Sequence, residues 1–199
     1  MADRLSGMSK EPMSVNDENE IEETPILRCV LFRHGIAAER EEWTGKDADR
    51  PLTDKGKRKV RRAAAGLRQL DVRPSRVLTS PLMRAVETAK LLHVTLAVRS
   101  SLRSVDELLP DASAEKMIGL LHDLSPGSCV LCVGHEPHLG MTASLLLSGQ
   151  LSGAFPLKKA GACLIELPLP VKPGRGRLIW WLTPSQLRRI GKESRNAED

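Results

Sequence analysis

The 199-residue sequence contains no tyrosine, and aromatic residues make up only 3% of it. That leaves little for the stacking platforms on which binders of single-stranded nucleic acid rest their bases. Cysteine is also scarce. Four in a chain of this length are too few for a disulfide scaffold, and three of them, Cys29, Cys129 and Cys132, lie inside apolar, strand-like runs where reduced and buried thiols are expected. No apolar run approaches the ~20 residues a membrane span requires, and the N-terminal segment holds no apolar block of the signal-peptide kind. A cytoplasmic protein without membrane attachment is the expectation. What is present has the balance of one globular domain, with 41% hydrophobic and 28% charged residues.

Charge is distributed unevenly. Residues 1–25 carry seven acidic and two basic side chains and lack apolar periodicity, which predicts a disordered acidic tail. Setting aside its net −5 leaves +10 on the remainder of a chain whose total is +5. The folded domain is expected over 26–190, with a polar C-terminal tail over 191–199.

From Ile26 the run ILRCVLF ends at Arg33-His34-Gly35 and reads as a buried strand. Val60, Ala63, Ala64, Leu67 and Leu70 then keep helical spacing within Lys57–Leu70, and Arg76–Thr79 returns to strand. Ser80-Pro81 predicts the opening of a helix reaching about Leu92, followed by a short apolar segment, Leu96–Val98, that keeps the alternation. Met117, Leu120, Leu121 and Leu124 give another helix, and CVLCV a strand that ends at Gly134-His135. A helix over Pro137–Leu147, strands over Gly161–Leu167 and Arg177–Leu182, and a closing helix capped by Thr183-Pro184 complete the pattern. Repeated strand–helix alternation implies an α/β sandwich around a mostly parallel sheet.

Two apolar strands end in histidine, His34 and His135, and in open α/β sheets ligands bind at the carboxyl ends of strands. A third strand end delivers Arg84 into the first turn of the following helix, where guanidinium and helix N–H groups favour an anion. Arg33, His34, Arg84 and His135 would thus converge on one place. With no carboxylate in the same motifs, the set suits phosphate better than a metal ion.

Arg33-His34-Gly35, the run SPLMRAVETA at 80–89 and VGHEP at 133–137 together resemble the signature segments of the histidine phosphatase superfamily. RPLTDKG at 50–56, KKAG at 158–161 and LIWWLTPSQL at 178–187 resemble its SixA-type phosphohistidine phosphatases. The resemblance, over roughly 27–190, implies a phosphoglycerate mutase-like three-layer fold without a cap insertion, and needs neither cofactor nor metal. It implies that His34 is the nucleophile that becomes phosphorylated. Arg33, Gly35, Arg84 and His135 would hold the phosphoryl oxygens, with His135, if protonated, as a further positive donor. Arg50 aligns with an arginine that reaches the phosphate in the SixA group, a structural ion pair being its other reading. Glu107, with Asp106 beside it, is the positional candidate for the proton donor, its other reading being a loop cap or salt bridge.

Only 50 residues separate Arg84 from His135, and the predicted elements consume nearly all of them. An uncapped, shallow pocket should accept a phosphoryl group presented on a protein surface more readily than it would enclose a sugar phosphate. Imidazole, with a pKa of ~6.5, also leaves far more easily than an alkoxide, so an irregular proton donor matters less for phosphohistidine. A phosphohistidine-bearing protein of a phosphorelay or phosphotransfer system is therefore the expected substrate, and phosphate or its analogues the expected site ligands. The competing readings are a small phosphate ester or anhydride as substrate, or a phosphohistidine-binding module without turnover.

Other features read more plainly. His93 and His122 are surface or core fillers, while His138, in HEPH, could line the rim of the site. Cys129 and Cys132 lie three apart in a strand and so face opposite sides, which argues against a shared metal. The basic stretch KGKRKVRR at 55–62 keeps helical apolar spacing, making its charges a solvated face; nucleic acid is not expected, although such a face could guide acidic protein partners.

Overall fold

A computed structural model of the chain describes residues 24–193. The tail expected at 1–25 lies outside the described residues up to position 23, as does the C-terminal segment from 194 onward. The chain runs β1 (Ile26–Arg33), α1 (Asp54–Gln69), β2 (Arg76–Thr79), α2 (Met83–Thr95), β3 (Leu102–Ser104), α3 (Ala114–His122), β4 (Cys129–Gly134), α4 (His138–Ser148), β5 (Ala162–Pro168), β6 (Arg177–Leu182) and α5 (Pro184–Glu193). The last helix therefore continues past position 190. Short 3-10 turns occupy Asp47–Asp49 and Asp106–Leu108.

The six strands form one sheet in the order β3-β2-β4-β1-β5-β6. The first four are mutually parallel, and β5 and β6 are antiparallel additions. β4 is buried throughout and β1 nearly so, which is why both read as unbroken apolar runs instead of alternating ones. One face is covered by α1, α2 and α5 through Val60, Ala64, Leu67, Ala85, Leu92 and Leu187. The other is covered by α3 and α4 through Met117, Leu121, Leu139, Ala143 and Leu146. This is a three-layer α/β sandwich, and each large aliphatic side chain buried in it contributes about 1.5–3 kcal/mol. No helix among the described residues is long and apolar enough to cross a membrane.

Local chemistry sets the helix starts. The Thr53 hydroxyl accepts the Gly56 N–H at 3.0 Å at the head of α1, and the Ser113 hydroxyl does the same for Lys116 at 3.4 Å at the head of α3. At α5, the Gln186 side chain accepts the Thr183 N–H at 2.8 Å while the Thr183 hydroxyl receives the Gln186 N–H at 3.4 Å, a reciprocal cap.

Two expectations are corrected. The helix predicted to open at Ser80-Pro81 begins at Met83, because Leu82 is extended and its N–H turns back to the Ser80 hydroxyl at 3.3 Å. The apolar segment Leu96–Val98 is not a strand. α2 runs on to Thr95, Leu96 is buried as its cap, and Ala97 has a φ of 51°, in the left-handed region, so the edge strand forms only at Leu102–Ser104.

Candidate active site

The site is a consequence of register. Arg33 pairs with Gly134 across β1 and β4, and Thr79 pairs with Val133 across β2 and β4, so the three strands end level with one another. The ladder continues one residue further: the His34 N–H donates to Gly134 at 3.0 Å and the Ser80 N–H to Val133 at 2.9 Å. β1 and β4 are neighbours whose following helices, α1 and α4, cover opposite faces of the sheet. A crevice opens at such a point, and His34 and His135 stand in it with ring centroids 4.9 Å apart.

His34 is 6% exposed. Its Nδ1 lies 2.7 Å from the Gly35 carbonyl. A carbonyl can only accept, so Nδ1 carries the proton and Nε2 keeps the free lone pair. Burial, with the nearby Arg84, Arg33 and Lys159 charges, lowers the ring's pKa from 6.5 to about 3 despite the bond to Gly35. His34 is thus neutral over the physiological range.

The same physics applies to His135, which would be a positive donor only if protonated. Burial, with His34, Arg84 and His138 around it, lowers its pKa to about 3, so it works as a neutral ring. Its Nε2 lies 2.8 Å from the Ser80 hydroxyl, and its buried Nδ1 has no partner among the described residues.

The two arginines are fixed by different devices. Arg33 donates through Nη1 to the Leu157 carbonyl at 2.7 Å, while the Leu157 N–H donates to the Glu136 carboxylate at 2.9 Å. The backbone of Leu157, in the loop before β5, therefore positions the guanidinium, whose buried Nε is left without a partner among the described residues. Burial pushes the half-buried Glu136 carboxyl up. Arg84, 6% exposed, is held by Asp47 through the carboxylate at 3.1 Å and the backbone carbonyl at 3.0 Å. Partial burial opposes ionisation of Asp47, but Arg84 and Arg50 outweigh it and hold the carboxyl below its usual range. A bridge between Ala37 and Leu52 closes the neck of the loop that brings Asp47 back to the site.

The remaining expected residues fall as follows. Arg50 is in the ion-pair arrangement, with Nε 3.0 Å from Asp47 and Nη1 2.7 Å from the Ala38 carbonyl. Gly35 gives its N–H to the Thr88 hydroxyl at 3.0 Å, which commits that donor within the protein. Its lack of a side chain serves packing, since a Cβ there would lie 2.6 Å from Val60. Thr88 in turn donates to the Arg84 carbonyl at 2.7 Å, tying the His34 loop to α2. Glu107, in the 3-10 turn after β3, is not bonded to the His34 group among the described residues. With Asp106, Asp111 and Lys116 it lines a neighbouring cavity of about 250 Å³. His138, expected at the rim, is instead 2% exposed because α4 begins there and turns its ring inward. Among the described residues no three His, Cys, Asp or Glu side chains are grouped as metal ligands.

Asp47, Ser80, Thr88 and Glu136 were not singled out by the sequence as site residues. Three of them lay inside quoted motifs, Ser80 and Thr88 in SPLMRAVETA and Glu136 in VGHEP beside His135. Asp47 carried none, because its position depends on a loop folding back over two arginines.

Comparison with known proteins places these features in context. The pattern of the histidine phosphatase superfamily (branch 1) matches residues 29–108. The chain is 37% identical over 137 residues to an uncharacterized protein of Picosynechococcus sp., covering 68% of this chain and 82% of that one. It is 27% identical over 164 residues to the phosphohistidine phosphatase SixA of Escherichia coli, covering 81% and 97%. A solved structure of the protein histidine phosphatase SixA complexed with tungstate superimposes with a TM-score of 0.71 and 27% identity, covering 80% of this chain and 99% of that one.

Proposed function

Because the chain belongs to the histidine phosphatase superfamily, we propose that it is a phosphatase that removes the phosphoryl group from phosphohistidine on a protein through a covalent intermediate on His34. The observation that carries this reading is the 2.7 Å hydrogen bond between His34 Nδ1 and the Gly35 carbonyl, which leaves Nε2 free. The pKa of His34 also lies far below neutrality, so Nε2 is a permanent nucleophile beside Arg33 and Arg84.

In the first half-reaction His34 Nε2 attacks phosphorus as the bond from phosphorus to the substrate imidazole breaks. The departing ring nitrogen takes its proton from solvent. Arg33 Nε and Arg84 stabilise the charge on the phosphoryl oxygens, and the neutral His135 adds a directed hydrogen bond. Water then attacks phosphorus and releases phosphate, restoring His34. Arg50 acts through Asp47, which it keeps ionised against Arg84. Since guanidinium groups fill the anion-stabilising positions, turnover needs no metal ion. Chelators should leave it unchanged, and phosphate, vanadate or tungstate should compete with substrate.

A brief exposure to a labelled phosphodonor should leave an acid-labile, alkali-stable phosphoryl group on His34, and His34→Ala should abolish both label and turnover. Full activity in that variant would end the proposal. Binding of a phosphohistidine protein with neither label nor phosphate release in a single turnover would instead favour a binding module.

The choice between phosphohistidine and an ester rests on Glu107→Gln. Phosphohistidine hydrolysis should fall little, because imidazole leaves without full protonation by the enzyme. An alkyl phosphoester should lose roughly the 10²–10⁴-fold that a general acid supplies. Equal losses on both would remove the leaving-group argument.

A further inference from the structure

Arg61 and Arg62 on α1 face Arg188, Arg189 and Lys192 on α5 across two adjoining cavities of about 160 and 210 Å³. Four of these side chains are exposed and Arg188 is half-buried. None of the five takes part in an ion pair among the described residues; the pairs that form use other groups. The helices bring these charges together because they touch through glycine. A Cβ on Gly191 would lie 2.7 Å from the Gly66 nitrogen, and one on Gly66 would lie 2.0 Å from the Leu187 carbonyl. Five cations set this close, with no ion-pair partner among the described residues, repel one another, and an anion that fills the groove relieves that repulsion.

The N-terminal end of α5 meets the turn that holds the backbone of the candidate active site. α5 opens at Pro184, whose Cδ lies 3.4 Å from the position of a Cβ on Gly161. Gly161 closes a tight turn on the Lys158 carbonyl at 2.7 Å, and the Ala160 N–H is shared between the Arg33 and His34 carbonyls at 3.0 and 3.1 Å. The exposed Lys158 and Lys159 therefore sit on a turn pinned to the nucleophile's own backbone. Lys159 is near enough that its charge contributes to keeping His34 unprotonated.

We infer that this basic strip, from the Lys158–Gly161 turn along α5 to α1, docks the acidic face of the phosphohistidine-bearing protein, an inference that rests on the function proposed above. Two features favour a protein over a small anion. The strip runs the length of α5, ten residues or about 15 Å, and its cavities are shallow and paired. The groove is lined by Arg, Lys, Ser, Ala and Gly with no aromatic ring on which a nucleobase could stack. Charge complementarity of this kind steers encounter and fixes orientation, and it acts on KM more than on the chemical step.

The test compares the full chain with the double variant Arg188→Glu, Arg189→Glu on two substrates. One is an acidic histidine phosphotransfer domain phosphorylated on its histidine; the other is phosphoramidate, too small to reach the strip. The variant should raise KM for the domain by about tenfold or more at low salt, leave turnover of phosphoramidate within about twofold, and lose the salt dependence shown by the parent. Retained phosphoramidate turnover also reports that the variant folds. If it does not fold, Arg188→Gln with Arg189→Gln should give a smaller change in the same direction.

An unchanged KM for the domain would overturn the docking inference and leave the proposed function standing. Hydrolysis of phosphoramidate but of no phosphohistidine protein would overturn the proposed function, and the docking inference with it. An effect of charge reversal that appears only after deletion of residues 1–23 would identify the chain's own acidic segment as the occupant. Competition by single-stranded DNA that the variant escapes would assign the strip to nucleic acid. Either result would overturn the inference.

Discussion

At the scale of single residues, the decisive property is the charge state of the two histidines. An exposed imidazole would lose its nucleophilic lone pair to a proton near pH 6.5. His34, lowered to about 3 mainly by burial, does so only in strong acid. The rate of His34 phosphorylation should therefore be flat from pH 8 to about 5, apart from ionisation of the donor itself. Rapid-quench measurement checks this, and an acid limb centred near 6.5 would show that the ring titrates as if exposed. The linked effect on stability has a definite sign. Between pH 6.5 and about 3 the unfolded chain binds protons at His34 and His135 that the native protein refuses, so stability is full above that window and is lost as pH falls through it. The rates must accordingly be read where the protein remains folded. Asp47 adds loss in the same direction, because its carboxyl must be protonated away from Arg84.

At the scale of elements, the contact between α1 and α5 makes a prediction whose sign separates two effects. Alanine is favoured over glycine inside a helix by about 1 kcal/mol. At Gly66, however, a Cβ would lie 2.0 Å from the Leu187 carbonyl, and that backbone atom cannot swing aside. Gly66→Ala should destabilise the protein by about 1–3 kcal/mol in urea denaturation, on the scale of overpacking a core. A gain in stability would mean that the helices separate at little cost. The sequence offered no view of this contact, because a glycine in a helical pattern reads only as a weak point. It did show the helices themselves: α1 and α3 were legible from apolar spacing, and α5 from Thr183-Pro184 standing where a cap and first turn belong. The edge strand was not legible. With three residues, two of them exposed, β3 has no pattern of its own and is specified by its pairing with β2.

At the scale of the whole molecule, the sequence revealed the order of the elements and the convergence of three strand ends, since both follow from local pattern plus the rule for parallel sheets. The residues that set the electrostatics, Asp47 above all, were hidden because they arrive from loops whose course depends on the finished fold. The cysteines were the opposite case. Cys129 and Cys132 face opposite layers as strand geometry requires, and Cys163 joins Cys29 and Cys132 in the layer under α3 and α4. All four thiols are free and buried. Burial pushes Cys129 up to about 11, and Cys132 and Cys163 are also raised, so none of these three is a ready thiolate in the native state. The sheet consequently carries its own stopwatch. A thiol reagent can react only during the moments when a strand is open, and the order in which the four sites are modified records which part of the sheet parts first. Cys129, at the start of β4 and 8% exposed, should react earliest; Cys132 and Cys163, fully enclosed, should wait for opening of the whole sheet and share its rate. Mass spectrometry of timed samples would read that clock directly, and equal rates at all four would mean that the sheet opens only as a unit.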